Sequence, residues 1–517
     1  MRVRAQSAGR TYYVDCSLGD DAKDGLSAST AWRSVGKANA VNLNPGDSLL
    51  FKRGCMWSTT SDGALFTAKW NGTATAPITI GAYGDGNKPL FRSDAHGSGI
   101  YSKPIEVSGT YQVIDGLRAD LINPFINTGC TQADGTGMPV GWYTGITVNG
   151  SYNTVQNVEV SNMANGIFTE DTSTHNKVLH SYVHDLHMFT RVDATKGALG
   201  VMGVLIQGDD NEIAYNRFDN NYGKCTLTGG ISQEYSAPFE LYNANRSFVH
   251  HNSAFEHKKH FEMGKDSTHT ADDNILAYNL FVSSRTNAVG PNIHGAGSSY
   301  GPVNRTQIYN NTIVFTGTTS QAIVCGCDGG ATVKNNIFVA EWKAAYYSGT
   351  IAEGNNIYWD YQKTTDSSAD PFVQFAAGTT PTAISTTSKK LDPLFISLTD
   401  FHLQSVSPAV DSGVSVGYSQ DLDNSTVPRG GAPDIGAYEF GSTAVSPSPA
   451  ATSVPNTACV SADLNSDNTV NSSDDAILLG DLLKTPASNP KSDINKDGTV
   501  DIIDYSLMTR VFGQTCQ

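Results

Sequence analysis

No run in this 517-residue chain approaches the ~18 consecutive apolar residues of a membrane-crossing helix. No membrane span is therefore expected. The amino end, MRVRAQSAGRTYYVD, also lacks the apolar core of a secretion signal. Either a signal has been trimmed or the protein stays inside the cell. Charge is scarce, at 16% of residues, and basic charge scarcer, with 34 Lys plus Arg against 50 acidic residues. The net charge of −16 argues against binding nucleic acid or anionic membranes by bulk electrostatics, although a local basic cleft stays open. What the chain has in quantity is glycine, 50 residues, which suits turn-rich β structure rather than a helical bundle. Its length implies two or three domains, or one long repeat domain plus a module. The eight cysteines are compatible with an oxidising compartment without requiring one. Cys325 and Cys327, either side of one glycine, also read as a buried thiol pair.

One phrase returns along the chain: NTVQNVEV (153–160), NKVLHSYV (176–183), NEIAYNRF (211–218), FVHHNSAF (248–255), ILAYNLFV (275–282), TQIYNNTI (306–313) and TVKNNIFV (332–339). Each is a short alternation of apolar and polar residues among Asn, Gly and Asp, which predicts strands. Asn216, Asn252, Asn279, Asn311 and Asn336 hold the same place in the last five copies. A core unit of ~20–25 residues without helical spacing reads as a coil of a parallel β-helix. The leucine pattern of the competing leucine-rich repeat is absent. The recurrent Asn is assigned to architecture, stacking at a turn and bonding from one coil to the next.

The opening YYVDCSLGDDAKDGLSASTAWRSVGKAN, then NPGDSLLFKRGCMW and APITIGAYGDGNKPLF, resembles the N-terminal coils of right-handed parallel β-helices of the pectate-lyase-like superfamily. The segment DLDNSTVPRGGAPDIGAYEF (421–440) resembles the closing coil of that group. The resemblance covers roughly residues 11–440. It implies an all-β solenoid domain over 1–440, but not one activity, since the group holds lyases, hydrolases, epimerases and binding proteins.

Residues 441–458, rich in Ser, Pro, Ala and Thr and without charge, read as an extended linker. Two matching segments follow, DLNSDNTVNSSD (463–474) and DINKDGTVDIID (493–504), each leading into an apolar stretch. Oxygen side chains at loop positions 1, 3, 5, 9 and 12 suit a Ca²⁺ ion, which needs six to eight oxygens. Asp463, Asn465, Asp467, Asn471 and Asp474 would serve one site, with the Thr469 carbonyl. Asp493, Asn495, Asp497, Asp501 and Asp504 would serve the other, with the Thr499 carbonyl. Asn468 stands where the second loop has Gly498, and Asn tolerates a left-handed turn. Two such half-loops, each ending in Asp rather than Glu, resemble a dockerin domain over 459–517, small, α-helical and calcium-binding. The resemblance implies a cohesin partner on an extracellular scaffold, hence a secreted protein whose signal has been trimmed. A Cys459–Cys516 disulfide would close the module's ends.

Another strand of each coil aligns without gaps: GITVNG (145–150), GIFTED (166–171), GVLIQG (203–208), PFELYN (238–243) and HFEMGK (260–265). Ile146, Ile167, Val204, Phe239 and Phe261 then point inward. The next position points outward and holds Thr147, Phe168, Leu205, Glu240 and Glu262. Two residues on stand Asn149, Glu170, Gln207, Tyr242 and Gly264. Neighbouring strands lie ~4.8 Å apart, so Glu240 and Glu262 should stack. Carboxylates that close disfavour joint ionisation, which yields one acid and one base or nucleophile. The spacing is nearer the ~5–5.5 Å of retaining glycosidases than the ~6.5–9.5 Å of inverting ones. Alternatively the pair holds Ca²⁺ in the β-helix, or pairs with Lys259, Lys265 or Arg285. Glu170, Tyr242, Gln207 and Arg285 are candidate sugar contacts.

The segment HKKHFEMGKDSTH (257–269) reads as a solvated rim that also offers Lys259 or Lys265 as the base of a β-elimination lyase. His294, on the strand after the Glu262 coil, is a further catalytic candidate. GDDN (208–211) aligns with the turn GSYN (150–153), so Asp209 and Asp210 are read as a turn. The sequence thus predicts a monomeric polysaccharide-cleaving enzyme, first a glycoside hydrolase using Glu240 and Glu262. A polysaccharide lyase and a non-catalytic carbohydrate-binding protein are the alternatives.

Overall fold

The computed structural model describes residues 9–93, 101–121, 142–186, 192–193, 197–198, 201–226, 232–362, 371–442, 461–470, 472–481 and 489–494, with 500, 508 and 516. The chain divides into two compact units, Met1–Phe395 with His402–Pro447, and Ile396–Phe401 with Ser448–Gln517. No helix among the described residues is long and apolar enough to cross a membrane.

The large unit is a right-handed parallel β-helix, and its strands form three ladders. The first runs through Trp142–Val148, Asn165–Thr169, Met202–Ile206, Ala237–Tyr242, Lys259–Gly264 and Val289–Ile293, each paired in parallel with the next. The second includes Glu212–Ala214, Phe248–His250 and Ile275–Ala277, the third Arg217–Asp219, Ser253–Phe255 and Leu280–Ser283. Ile146, Ile167, Val204, Phe239 and Phe261 are Cα partners in one unbroken column. All five are fully buried, as the alternation predicted. Phe239 meets Phe218 and Phe261 at ring distances of 4.5 and 6.0 Å. The core is thus stacked aromatic and branched side chains, one layer per coil.

The recurrent Asn does the coil-to-coil bonding expected of it. The backbone N–H groups of Asn216, Asn252, Asn279 and Asn311 donate to the Oδ1 of the Asn one coil on, at 2.9, 3.0, 3.0 and 2.9 Å. Their Nδ2 groups donate to the same oxygens. The ladder continues from Asn336 to Asn356. The residue before each Asn turns the chain and has a positive φ, between 50° and 59° at Tyr215, His251, Tyr278, Asn310 and Asn335. The turn also stacks aromatics: His180 on Tyr215 at 5.0 Å and His251 on Tyr278 at 5.3 Å.

Three features differ from the sequence reading. His257 and His260 are fully buried instead of lining a solvated rim, His260 packing against Phe281 and Phe315 of the third ladder. A neutral imidazole packs there as an aromatic ring. Segment 421–440 contains no strand; it lies along the flank of the second ladder. Asn310 Nδ2 donates to the Asp434 carbonyl, and Val427 packs with Phe248, Ile275 and Tyr278. Its buried Asp421, Asp434 and Glu439 are tied by backbone N–H groups of the segment itself, which replaces ladder pairing. Cys325 and Cys327 are joined in a disulfide, as are Cys16 and Cys55.

In the small unit, the helix Ser472–Asp481 follows the first acidic loop. Ala462, Leu464, Val470, Leu478, Val500, Met508 and Cys516 form its core. Cys516 is disulfide-bonded, while Cys459 lies outside the described residues.

Candidate functional site

The register of the first ladder sets the outward column. Thr147, Phe168, Leu205, Glu240, Glu262 and Asn292 are successive Cα partners. Glu240 and Glu262 therefore sit on adjacent strands, ~4.8 Å apart along the helix axis. Glu262 is held from two sides. His294 Nε2 lies 2.8 Å from its Oε1, and Lys259 Nζ donates to its Oε2 at 3.0 Å. The Glu262 side chain is 13% exposed and that of His294 18%, so the pair is partly shielded from water. Ser298 Oγ lies 3.0 Å from His294 Nδ1 and also accepts the Tyr300 N–H at 3.1 Å. That network is satisfied when the Ser298 hydroxyl donates to Nδ1 and the neutral imidazole carries its proton on Nε2, facing Glu262.

The two ladder strands preceding that of Glu240 contribute an apolar floor: Phe168, Met202 and Leu205 cluster with Tyr242 packed against them. Burial pushes the Tyr242 phenol up, and the charges of Asp266, Tyr300, Glu240 and Asp171 push the same way. Tyr242 pairs in register with Gly264, and His294 follows Gly264 on the next coil, its N–H bonded to the Met263 carbonyl at 3.2 Å.

The other sequence candidates spread further. Glu170 lies two strand steps from Tyr242, about 10 Å, and burial raises it, opposed by Lys103 and reinforced by Asp171 and Glu106. Glu106 itself accepts from Lys103 Nζ at 2.8 Å and Asn149 Nδ2 at 2.7 Å. Gln207 bonds Thr169 through its backbone. Lys265 Nζ turns to the Asp266 carbonyl at 3.1 Å. Arg285 is occupied elsewhere: it donates to the Glu256 carbonyl and Asn220 Oδ1, and lies 4.0 Å over the Tyr222 ring. Asp209 and Asp210 form a turn, with Asp210 at φ 60°, and both pair with Arg246.

Sequence reasoning missed Asn292, Ser298 and Tyr300. Asn292 was within reach, since extending the gapless alignment by one coil, to GPNIHG (290–295), puts it in the glutamate column. Ser298 and Tyr300 come from a loop that no period governs.

In the small unit, one carboxylate oxygen each from Asp463, Asp467 and Asp474 lie within 4.8 Å of one another. Asp474 is fully buried and Asp463 nearly so. Carboxylates that converge at this spacing fit a divalent cation. Asn465 adjoins Asp467 at 2.9 Å, and Thr469 N–H bonds Asp467 Oδ1 at 2.8 Å. Asn468 has φ +67°, the left-handed turn its side chain tolerates. Of the second loop, Asp493 is described; Asn495, Asp497, Thr499, Asp501 and Asp504, with Asn471 of the first loop, lie outside the described residues. Apart from the disulfide neighbourhood of Asp15, Cys16 and Cys55, the described residues hold no other such cluster.

Residues 461–513 match the dockerin type I domain family. Among curated proteins, a lacto-N-biosidase of Bifidobacterium longum subsp. longum is 45% identical over 92 residues, 17% of this chain and 6% of that protein. The chain thus spans a small part of the curated relative it matches. Among solved structures, pectate lyase Pel9A superposes with TM-score 0.53 at 18% identity, over 84% of this chain and 97% of that one. A GH136 lacto-N-biosidase from Eubacterium ramulus aligns over 72% of this chain and 67% of that one, with 15% identity and TM-score 0.44. The likeness to Pel9A is one of fold. The chain is a right-handed parallel β-helix whose C-terminal residues 461–513 match the dockerin type I domain family.

Proposed function

We propose that the chain is a secreted carbohydrate-active enzyme that hydrolyses a polysaccharide at Glu240 and Glu262, and that its dockerin domain binds calcium and a cohesin. One observation carries the catalytic reading. A column that also holds Glu106, Thr147, Phe168, Leu205 and Asn292 puts two glutamates on adjacent strands, one of them gripped by His294 and Lys259. The fold does not require acids there. Glu262, which accepts from Lys259 and, at 3.5 Å, from Asn292 and lies 2.8 Å from His294 Nε2, is the nucleophile. Glu240, between Glu262 and the apolar Leu205, is the proton donor to the leaving oxygen. Attack by Glu262 on the anomeric carbon breaks the glycosidic bond as Glu240 protonates the departing sugar. Glu240 then takes a proton from the water that releases Glu262. Lys259, engaged with Glu262, serves this scheme as a charge partner rather than as the base of an elimination.

Depolymerisation of a plant and host glycan panel, with product analysis, tests the reading. Saturated reducing-end products, lost in Glu240→Gln and Glu262→Gln, support it. Unsaturated products that survive those substitutions and vanish in Lys259→Ala or Lys265→Ala would establish a lyase instead. Glycan binding without any cleavage would leave a binding protein. The match to a lacto-N-biosidase gives reason to include a substrate of that enzyme in the panel.

A further inference from the structure

Tyr300 is half exposed, 51% of its surface open to water, yet nothing about it is loose. Its N–H is bonded to Ser298 Oγ at 3.1 Å, and its carbonyl accepts the Lys265 N–H at 2.9 Å. Its Cβ rests on Gly264: a side-chain carbon added there would lie 3.4 Å from Tyr300 Cβ, 3.4 Å from His294 Cδ2 and 3.5 Å from Tyr242 Cδ2. These are ordinary contact distances, and they place Tyr300, His294 and Tyr242 around one point of the strand. The Tyr300 ring stands 5.5 Å from the His294 ring and 6.4 Å from the Tyr242 ring, inclined at 63° to the latter. A large aromatic that is fixed at its backbone but uncovered on its ring gains nothing for folding from that exposure. Fixed in place, it loses little conformational freedom when a ligand covers it.

Position gives the ligand. Gly264 follows Glu262 by two residues on one strand, about 6.6 Å, so the ring stands about one sugar unit from the carboxylates. We propose that Tyr300, with Tyr242 as its wall, is a stacking subsite for a neutral hexopyranose adjoining the bond to be cleaved. The inference deepens the hydrolase reading, on which the subsite's place beside the cleaved bond rests. A pyranose presents a face of C–H bonds that an aromatic ring covers, while its rim of hydroxyls finds acceptors in the surrounding carboxylates. Those carboxylates select against a uronate. Glu240, Asp171 and Asp266 all act on Tyr242, and a further carboxylate in their midst would be repelled.

Isothermal titration of the full chain carrying Glu240→Gln with cellohexaose, β-1,4-galactohexaose and hexagalacturonate tests this. At least one neutral hexasaccharide should bind. Adding Tyr300→Ala or Tyr300→Leu should weaken it about tenfold, while Tyr300→Trp holds it within about threefold. Undiminished binding in Tyr300→Ala and Tyr300→Leu overturns the subsite. So does failure of both neutral probes to bind, or a preference for hexagalacturonate. The two readings fail separately. Full hydrolytic activity in Glu240→Gln, with binding still lost in Tyr300→Ala, removes the carboxylate mechanism and leaves the subsite standing.

Discussion

Glu262, His294 and Ser298 form a chain in which each polar atom has a partner, and its value for catalysis lies in fixing one proton. With Ser298 on Nδ1, the imidazole offers Nε2–H to Glu262. His294→Ala should lower kcat about 10²-fold with a smaller change in KM, and Ser298→Ala about tenfold, as is usual for a group that orients another. Steady-state kinetics on the identified glycan checks both, and a Ser298→Thr variant should restore the rate. A second residue-scale consequence concerns acid. His257 and His260 are fully buried, held well below their ordinary value by burial first and then by neighbouring positive groups, Arg285 for both. His257 has no hydrogen-bond partner at either ring nitrogen. In the unfolded chain each takes up a proton near pH 6.5, in the folded chain only far below. The unfolded state therefore binds more protons as pH falls, and stability drops below about pH 6.5, by up to ~1.4 kcal/mol per pH unit for each histidine. His257→Leu should flatten that loss by one histidine's share between pH 6.5 and 5.5, measured by denaturant unfolding at both values. An unchanged slope would show that the imidazole is solvated in the folded state.

At the scale of the element, the Asn turn explains why coils of unequal length still stack. Asn279 Nδ2 donates to the carbonyls of Val249 and Ala277 and to Asn311 Oδ1, while its own oxygen receives Asn252. Asn279→Ala in the middle of the ladder strips these bonds and leaves buried backbone groups unsatisfied, a cost of about 3 kcal/mol. Asn356, at the ladder's end, is held by fewer coils, and its replacement should cost less. Equilibrium denaturation of the two variants makes the comparison, and equal losses would mean that the ladder does not act coil to coil. These turns were legible in sequence because one side chain performs one job in every copy. The glutamate pair was legible for the opposite reason, as a departure from the Thr147, Phe168 and Leu205 of the three preceding coils. Loop 295–301 was not legible: Ser298 and Tyr300 reach the site through local turns, which leave no period. His260 escaped because alternation treats imidazole as polar, whereas burial keeps it neutral and it packs against Phe315. Segment 421–440 escaped because its backbone is satisfied by its own carboxylates, which in sequence look like any acidic turn.

For the whole molecule, the two units draw their stability from different sources. The β-helix has a continuous core that runs from Tyr12 to Val373 among the described residues. The small unit, Ile396–Phe401 with Ser448–Gln517, is of a size at which a core is usually reinforced by a metal or a disulfide. Its first loop turns three acids inward, and those charges repel one another unless a cation sits between them. Calcium should therefore stabilise this unit by mass action, about 4 kcal/mol at a thousandfold excess over Kd, with no effect on the β-helix. Calorimetric scans of the full chain should show two transitions in calcium. EGTA should lower one of them markedly and leave the other unmoved. Asp467→Ala removes an exposed ligand rather than a buried structural acid. It should lower the calcium-dependent transition without altering the EGTA baseline, whereas Asp474→Ala should lower both, since Asp474 also receives the N–H groups of Leu464 and Asn465. A small-unit transition indifferent to EGTA would show that the converging acids are stabilised by something other than a bound ion, and would remove the calcium reading with them.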